Sequence, residues 1–118
     1  PDFDGNSLYE SRRHYLLAML HLAENKPQAA EPLLIDAYHN ANSTGNKELA
    51  WRILAAEGEA SLLQGRYEQA LRSFIAAFDT LKALAGGINQ REAKQSYLSD
   101  PEKLKIAEKL EELRTLTV

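Results

Sequence analysis

The chain of 118 residues contains no cysteine. Disulfides, thiolate metal sites and cysteine nucleophiles are thereby excluded, and a reducing compartment, the cytoplasm, is the expected setting. Charge of one sign is missing as well: 14 lysines and arginines stand against 17 acidic residues, a formal charge of -3, with the signs interspersed. Lacking a basic stripe, the chain has nothing to neutralise phosphates or to lie on an anionic membrane, so neither nucleic acid nor lipid is an expected partner. No apolar run approaches the ~20 residues a membrane span requires, and the N-terminus carries no signal-peptide pattern. Segments that alternate apolar and polar residues with a period of two, the mark of a half-buried strand, are absent too. What remains is a composition of 44% hydrophobic and 26% charged residues, ordinary for a water-soluble globular domain, so one all-α domain is expected. The sequence starts at Pro1 rather than methionine and reads as a piece of a longer protein, with Pro1 to Asn6 as linker or frayed end.

Helix signals divide the rest. Ser7 and Glu10 have the spacing of a capping box, in which hydroxyl and carboxylate each satisfy one orphan amide, and helix one is predicted from there to Glu24. Pro27 suits the first turn of a second helix, predicted to reach Ala41, where Pro32 removes one backbone bond and predicts a kink or a late start. The cluster Asn42 to Asn46 reads as a turn, and Lys47 to Gln64 as helix three, closed by Gly65. Tyr67 to Ala85 reads as helix four, ended by Gly86-Gly87, and Asn89 to Leu98 as a short fifth. Ser99-Asp100-Pro101-Glu102 has the form of a second capping box, opening a sixth helix with Ile106, Leu110, Leu113 and Thr117 on one face and Leu104 and Ala107 beside it.

Shifting the sequence on itself by forty residues aligns Arg12 with Arg52, Leu22 with Leu62, Ala30 with Ala70, Ile35 with Ile75 and Ala37 with Ala77. Leu34 then meets Phe74, Tyr38 meets Phe78, and Ala18 meets Gly58, so large residues pair with large and small with small. Each unit is a helix, a tight turn and a second helix, and one such unit cannot bury its apolar face alone. Two antiparallel helices approach closely only where one presents little side chain, which Gly58 and Ala70 supply in the second unit, with Phe74 and Ala77 filling the joint.

In the order Leu54, Gly58, Gly65-Arg66-Tyr67, Ala70, Phe74, Ala77, the second unit resembles the tetratricopeptide repeat family. The likeness covers Trp51 to Phe78 well, Ser11 to Tyr38 in part, and the last thirty residues hardly at all. It implies a right-handed α-helical repeat of about six antiparallel helices: residues 7–41 as repeat one, 46–85 as repeat two, and 88–118 as a degenerate repeat or capping helices. His21, Glu57 and Ser61 depart from the family pattern on the first helices. So does the period, forty against the family's usual ~34, with the excess expected in the turn around Asn42 to Asn46.

Carried over from the family, a concave wall is expected from the first helix of each unit: Arg12, Tyr15, Met19 and Leu22, then Arg52, Ala55, Glu59, Leu62 and Leu63. An apolar floor with a few charges suits a helix or extended peptide of a protein partner, and equally another part of the parent protein or a second copy in a homodimer. Arg12 and Arg52 recur at equivalent sites, either to hold an acidic segment or as solvated surface. Tyr15 and Met19 stand where family members that grip a terminal carboxylate use polar and basic residues, so that role is not expected. Long-period relatives in bacterial signalling and transcription regulators supply a context by analogy.

Chemistry-bearing patterns are few. His14 and His21, seven apart, share a helical face but have no third ligand at metal-site spacing, and His39 stands alone. No serine sits in a nucleophile elbow, and Gly86-Gly87 lacks the third glycine of a phosphate-cradling loop. Trp51 reads as an inter-helix packing residue or a binding anchor, and the mixed run Lys103 to Glu112 as the solvated face of the last helix. No enzyme activity, cofactor or metal is expected.

Overall fold

Asn25, Gly45 and Gly65 stand twenty residues apart and share one backbone state, with φ of 59°, 73° and 73°. In each case the next amide closes a bond to the carbonyl five residues back: Lys26 to His21 at 2.8 Å, Asn46 to Ala41 at 2.9 Å and Arg66 to Ser61 at 2.9 Å. This is the bond pattern of a Schellman helix end, which needs a residue tolerant of positive φ. Glycine takes that state freely, and asparagine is the side chain best able to replace it. Three residues therefore suffice to end one helix and start the next.

The computed structural model describes the backbone of residues 4–117 and the side chains of residues 9–115. Six helices follow one another: α1 (Asp4–Ala23), α2 (Pro27–Ser43), α3 (Lys47–Leu63), α4 (Tyr67–Gly86), α5 (Arg91–Leu98) and α6 (Pro101–Thr117). The described residues form no strand. None of these helices is long and apolar enough to cross a membrane.

Short turns place α1 against α2 and α3 against α4, and α2 then packs on α3. The twenty-residue interval of the turns recurs inside the helices. Ala30, Ala50 and Ala70 lie at matching positions in the first turns of α2, α3 and α4, and Leu34, Leu54 and Phe74 follow four residues later, all buried. A half-period of one helix plus one turn thus underlies the forty-residue repeat. Contrary to expectation, the turn around Asn42 is not the longer element of the forty-residue spacing. Asn42 and Ser43 belong to α2, and all three turns have the same length.

Several local expectations are corrected. Helix α1 begins at Asp4, so Ser7 lies within it and is not its N-cap; the side chain of Ser7 is outside the described residues. Glu10 instead lies 3.7 Å from Arg13 and 4.0 Å from His14. Helix α2 starts at Pro27 and continues through Pro32, without a late start. Pro32 is exposed, and so is Gln28, whose carbonyl loses its partner and can turn to water. Ser99 does not cap α6. It terminates α5, its hydroxyl donating to the Ser96 carbonyl at 3.1 Å, while Glu102 reaches across to α3.

Two apolar clusters meet on opposite sides of α3. Ala18, Ala30, Leu34, Ala37 and Ala41 close on Leu49, Ile53, Ala56 and Ala60 in the first. In the second, Trp51 and Leu54 meet Ala70, Phe74, Ala77 and Leu81 of α4. Ile106, Leu110 and Leu113 of α6 complete it. Gly58 marks the tightest point, because a Cβ there would sit 2.6 Å from Cε2 of Phe74, a ring itself 2% exposed. On the other joint, buried Ser11 donates its hydroxyl to the Ala37 carbonyl at 2.6 Å, fixing α1 to α2 without leaving a polar atom unpaired. Trp51 is a packing residue, 2% exposed. After α4 the rhythm changes: α5 buries no side chain, and α6 takes the place against α4 that α3 holds against α2. The molecule is a slab of 44 × 39 × 19 Å, about two helices thick.

Candidate functional site

A groove of about 680 Å³ runs between α1, α3 and α6. Tyr15, Met19 and Leu22 recur at intervals of four and three on α1 and share one face. Arg52, Ala55, Glu59 and Leu63 do the same on α3. Met19 is 39% and Leu63 48% exposed, so this wall offers accessible apolar surface. The facing wall is α6, which contributes Glu102, Lys105, Glu108, Lys109 and Glu112. Ile106 anchors it on the core side.

Seven of the nine wall residues anticipated from the sequence line this groove: Tyr15, Met19, Leu22, Arg52, Ala55, Glu59 and Leu63. Arg12 and Leu62 do not. Leu62 is one turn beyond Gly58 and packs with the α4 cluster, because a single residue step rotates the side chain by about 100° away from Leu63. Arg12 is exposed and makes no ion pair among the described residues. Its equivalent Arg52 places Nη1 2.9 Å from Oε1 of Glu102, so the two arginines are not alike in role.

Polar contacts beside the groove tie the C-terminal helices to α3. Besides the Arg52–Glu102 pair, Tyr97 donates its hydroxyl to Oε2 of Glu48 at 2.6 Å, and Trp51 Nε1 donates to Oε1 of the same carboxylate at 3.1 Å. Lys103 Nζ lies 3.5 Å from the centre of the Tyr97 ring, and the Arg52 guanidinium 4.5 Å from that of Trp51. Burial pushes the Glu48 carboxyl upward, but the bonds from Tyr97 and Trp51, with the charges of Lys103 and Arg52, outweigh it and hold the group below its usual range. Burial raises the Tyr15 hydroxyl, an effect that the nearby Arg52 charge opposes. Tyr15 is therefore a neutral hydrogen-bonding group at the edge of an apolar wall.

Sequence reasoning missed α6 as a wall. Its run of mixed charges reads as solvated surface, and the usable signal is the buried stripe Ile106, Leu110, Leu113, which fixes how the charged sides must flank the core. His14 and His21 are half-buried with their Nδ1 atoms unpartnered, and His39 is exposed. Among the described residues no three His, Cys, Asp or Glu side chains gather in a way that holds a metal ion. Compared with known proteins, the chain matches no family model, no curated protein and no solved structure.

Proposed function

We propose that this chain is a tetratricopeptide-type recognition module that takes a peptide or helix, from a partner or from its own parent chain, into the groove between α1, α3 and α6, and that it makes and breaks no bond. The observation that carries the reading is the pairing of an accessible apolar wall, Tyr15, Met19, Leu22, Ala55 and Leu63, with a wall of alternating charges on α6. Such a groove suits an amphipathic segment whose apolar side faces α1 and α3 and whose polar edge meets α6. The helix-turn-helix units, the small residues at their crossings and the forty-residue period support kinship with the repeat family. By analogy with its long-period members, a place in a bacterial signalling or transcription regulator belongs to the same proposal, and the lack of cysteine supports a cytoplasmic setting.

Panning a random peptide library on the full chain tests the reading. Enriched peptides should carry apolar residues at helical or alternate spacing, and Met19→Glu should abolish their capture while circular dichroism stays unchanged. Arg12→Glu, outside the groove, should leave capture intact. Equal capture by the Met19 and Arg12 variants rejects the groove.

A second reading, self-association, rests on a different surface. Tyr9, Leu16 and Leu20 of α1 are 67%, 62% and 61% exposed and form one stripe. A second copy pairing through this stripe would bury it. Sedimentation at micromolar concentration decides, since a strict monomer removes this reading.

A further inference from the structure

A separate recess of about 180 Å³ opens between α2, α3 and α4 and shares no residue with the groove. It is lined by Glu31 and Ile35 of α2, Glu57 and Ser61 of α3, and Gln69 and Ser73 of α4. Glu57 stands in α3 where α2 and α4 have the fully buried alanines Ala37 and Ala77, twenty residues before and after. A carboxylate has thus been placed at a position the packing otherwise reserves for a methyl group.

The recess lining holds two carboxylates and no cationic side chain. The Glu57 carboxylate makes no hydrogen bond or ion pair among the described residues. Ser61 is 2% exposed, yet its hydroxyl has no partner either. Glu31 accepts from Gln64 Nε2 at 3.0 Å and meets Arg66 at 3.4 Å through Oε2 alone, which leaves Oε1 unengaged. Glu31 and Glu57 are the only titratable groups in the lining; Gln69 and Ser73, on the α4 side, carry no charge. Burial, with the negative charge of Glu31 added, pushes the Glu57 carboxyl up to about 7. At the rim Ile35 leaves an apolar side chain 61% exposed. The unengaged oxygens of Glu57, Ser61 and Glu31 line the recess without a protein partner, and a compact head with three donors on an aliphatic stem would engage them together.

We propose that this recess binds the ammonium group of a lysine side chain carried by a partner segment, with the carboxylates of Glu57 and Glu31 and the hydroxyl of Ser61 as acceptors and Ile35 against the aliphatic stem. The ammonium supplies the positive charge that the lining, whose donors are only the neutral Ser61, Ser73 and Gln69 groups, does not provide. Occupancy requires Glu57 to be ionised, so a proton leaves as the cation enters. For a single group titrating near 7, affinity is about tenfold higher at pH 8 than at pH 6.

The experiment is an NMR titration of the whole chain with N-acetyl-lysine-N-methylamide, beside its arginine analogue and the uncharged N-acetyl-norleucine-N-methylamide. Saturable amide shifts at residues 31, 57, 61 and 73 are expected with the lysine compound only, about tenfold tighter at pH 8 than at pH 6 by the linkage above. Glu57→Gln should remove the binding and its pH dependence while circular dichroism stays helical. Ser61→Ala should weaken binding severalfold. Several outcomes overturn the proposal: an equal response to norleucine, tighter binding of the arginine analogue, shifts centred on the groove, or no saturation at millimolar concentration.

Discussion

Two ends of the same stack are finished differently, and the contrast is visible position by position. At the C-terminal end the buried face of α4, with Phe74, Ala77 and Leu81, packs on α3 and is closed off by Ile106, Leu110 and Leu113 of α6, and all six are at most 4% exposed. At the N-terminal end α1 presents Tyr9, Leu16 and Leu20 to solvent, each more than 60% exposed. Forty residues on, the same positions of α3 are Leu49, Ala56 and Ala60, and these are 8%, 3% and 0% exposed against α2. Helix α1 therefore has the apolar spacing of an interior helix without an interior neighbour. The one clear concession to water is Arg13, which stands where α3 has buried Ile53. The lesson is that an apolar stripe fixes which way a helix faces, while burial depends on whether another helix arrives.

Perturbing each region in turn sharpens this contrast, and the largest effect belongs to the closed end. Phe74→Ala should lower stability by about 3 to 5 kcal/mol in urea unfolding, since the ring fills the α3–α4 joint beneath α6. Gly58→Leu attacks the same joint by overpacking. With 2.6 Å between an added Cβ and the ring, a loss of about 1 to 3 kcal/mol is expected, read as a lower thermal midpoint. A neutral result for either change would break the account of the closed end.

Between the ends, Glu57 gives a pH signature. Its folded carboxyl sits at about 7, above the ordinary 4.5, so the native state holds a proton more firmly than the unfolded chain. The associated stability is present below pH 4.5 and is lost as pH rises to about 7. Glu57→Gln should remove that slope and stabilise the chain at pH 8 by about 1 to 2 kcal/mol, a figure reduced for partial solvent screening. Chemical denaturation at pH 5 and pH 8 measures both. The smallest effect is expected at the open end, where Leu20→Ala should change stability by no more than about 0.5 kcal/mol in a monomer. A larger, concentration-dependent loss would show that α1 is covered by a second copy, and so would sharpen the comparison into an argument for self-association.

Much of the helix order was legible because proline, glycine and apolar periodicity agree at Pro27, Gly65 and Pro101. The capping boxes were misread because the same serine chemistry serves two purposes: Ser99 closes α5 rather than opening α6, and the sequence alone does not say which helix owns it. The twenty-residue half-period stayed hidden for a chemical reason, since Asn25 fills a role that Gly45 and Gly65 fill elsewhere. Of the groove, the α1 and α3 wall was expected only through the resemblance to the repeat family, and Arg12 and Leu62 lie outside the groove because helix rotation, set by packing, turns them away. Its other wall was not expected. The pair joining Arg52 to Glu102 spans fifty residues, and nothing local to either side chain announces the other.

The bypassing of α5 has a kinetic consequence. Every other large joint in the stack is between helices adjacent in the chain, which favours rapid, stepwise zipping from low contact order. Helix α6 must instead close a loop over α5 before it can dock on α4, adding an entropic delay. The groove is then the last feature to assemble, and Trp51, the only tryptophan, lies beneath the arriving helix as a natural fluorescent reporter of that step.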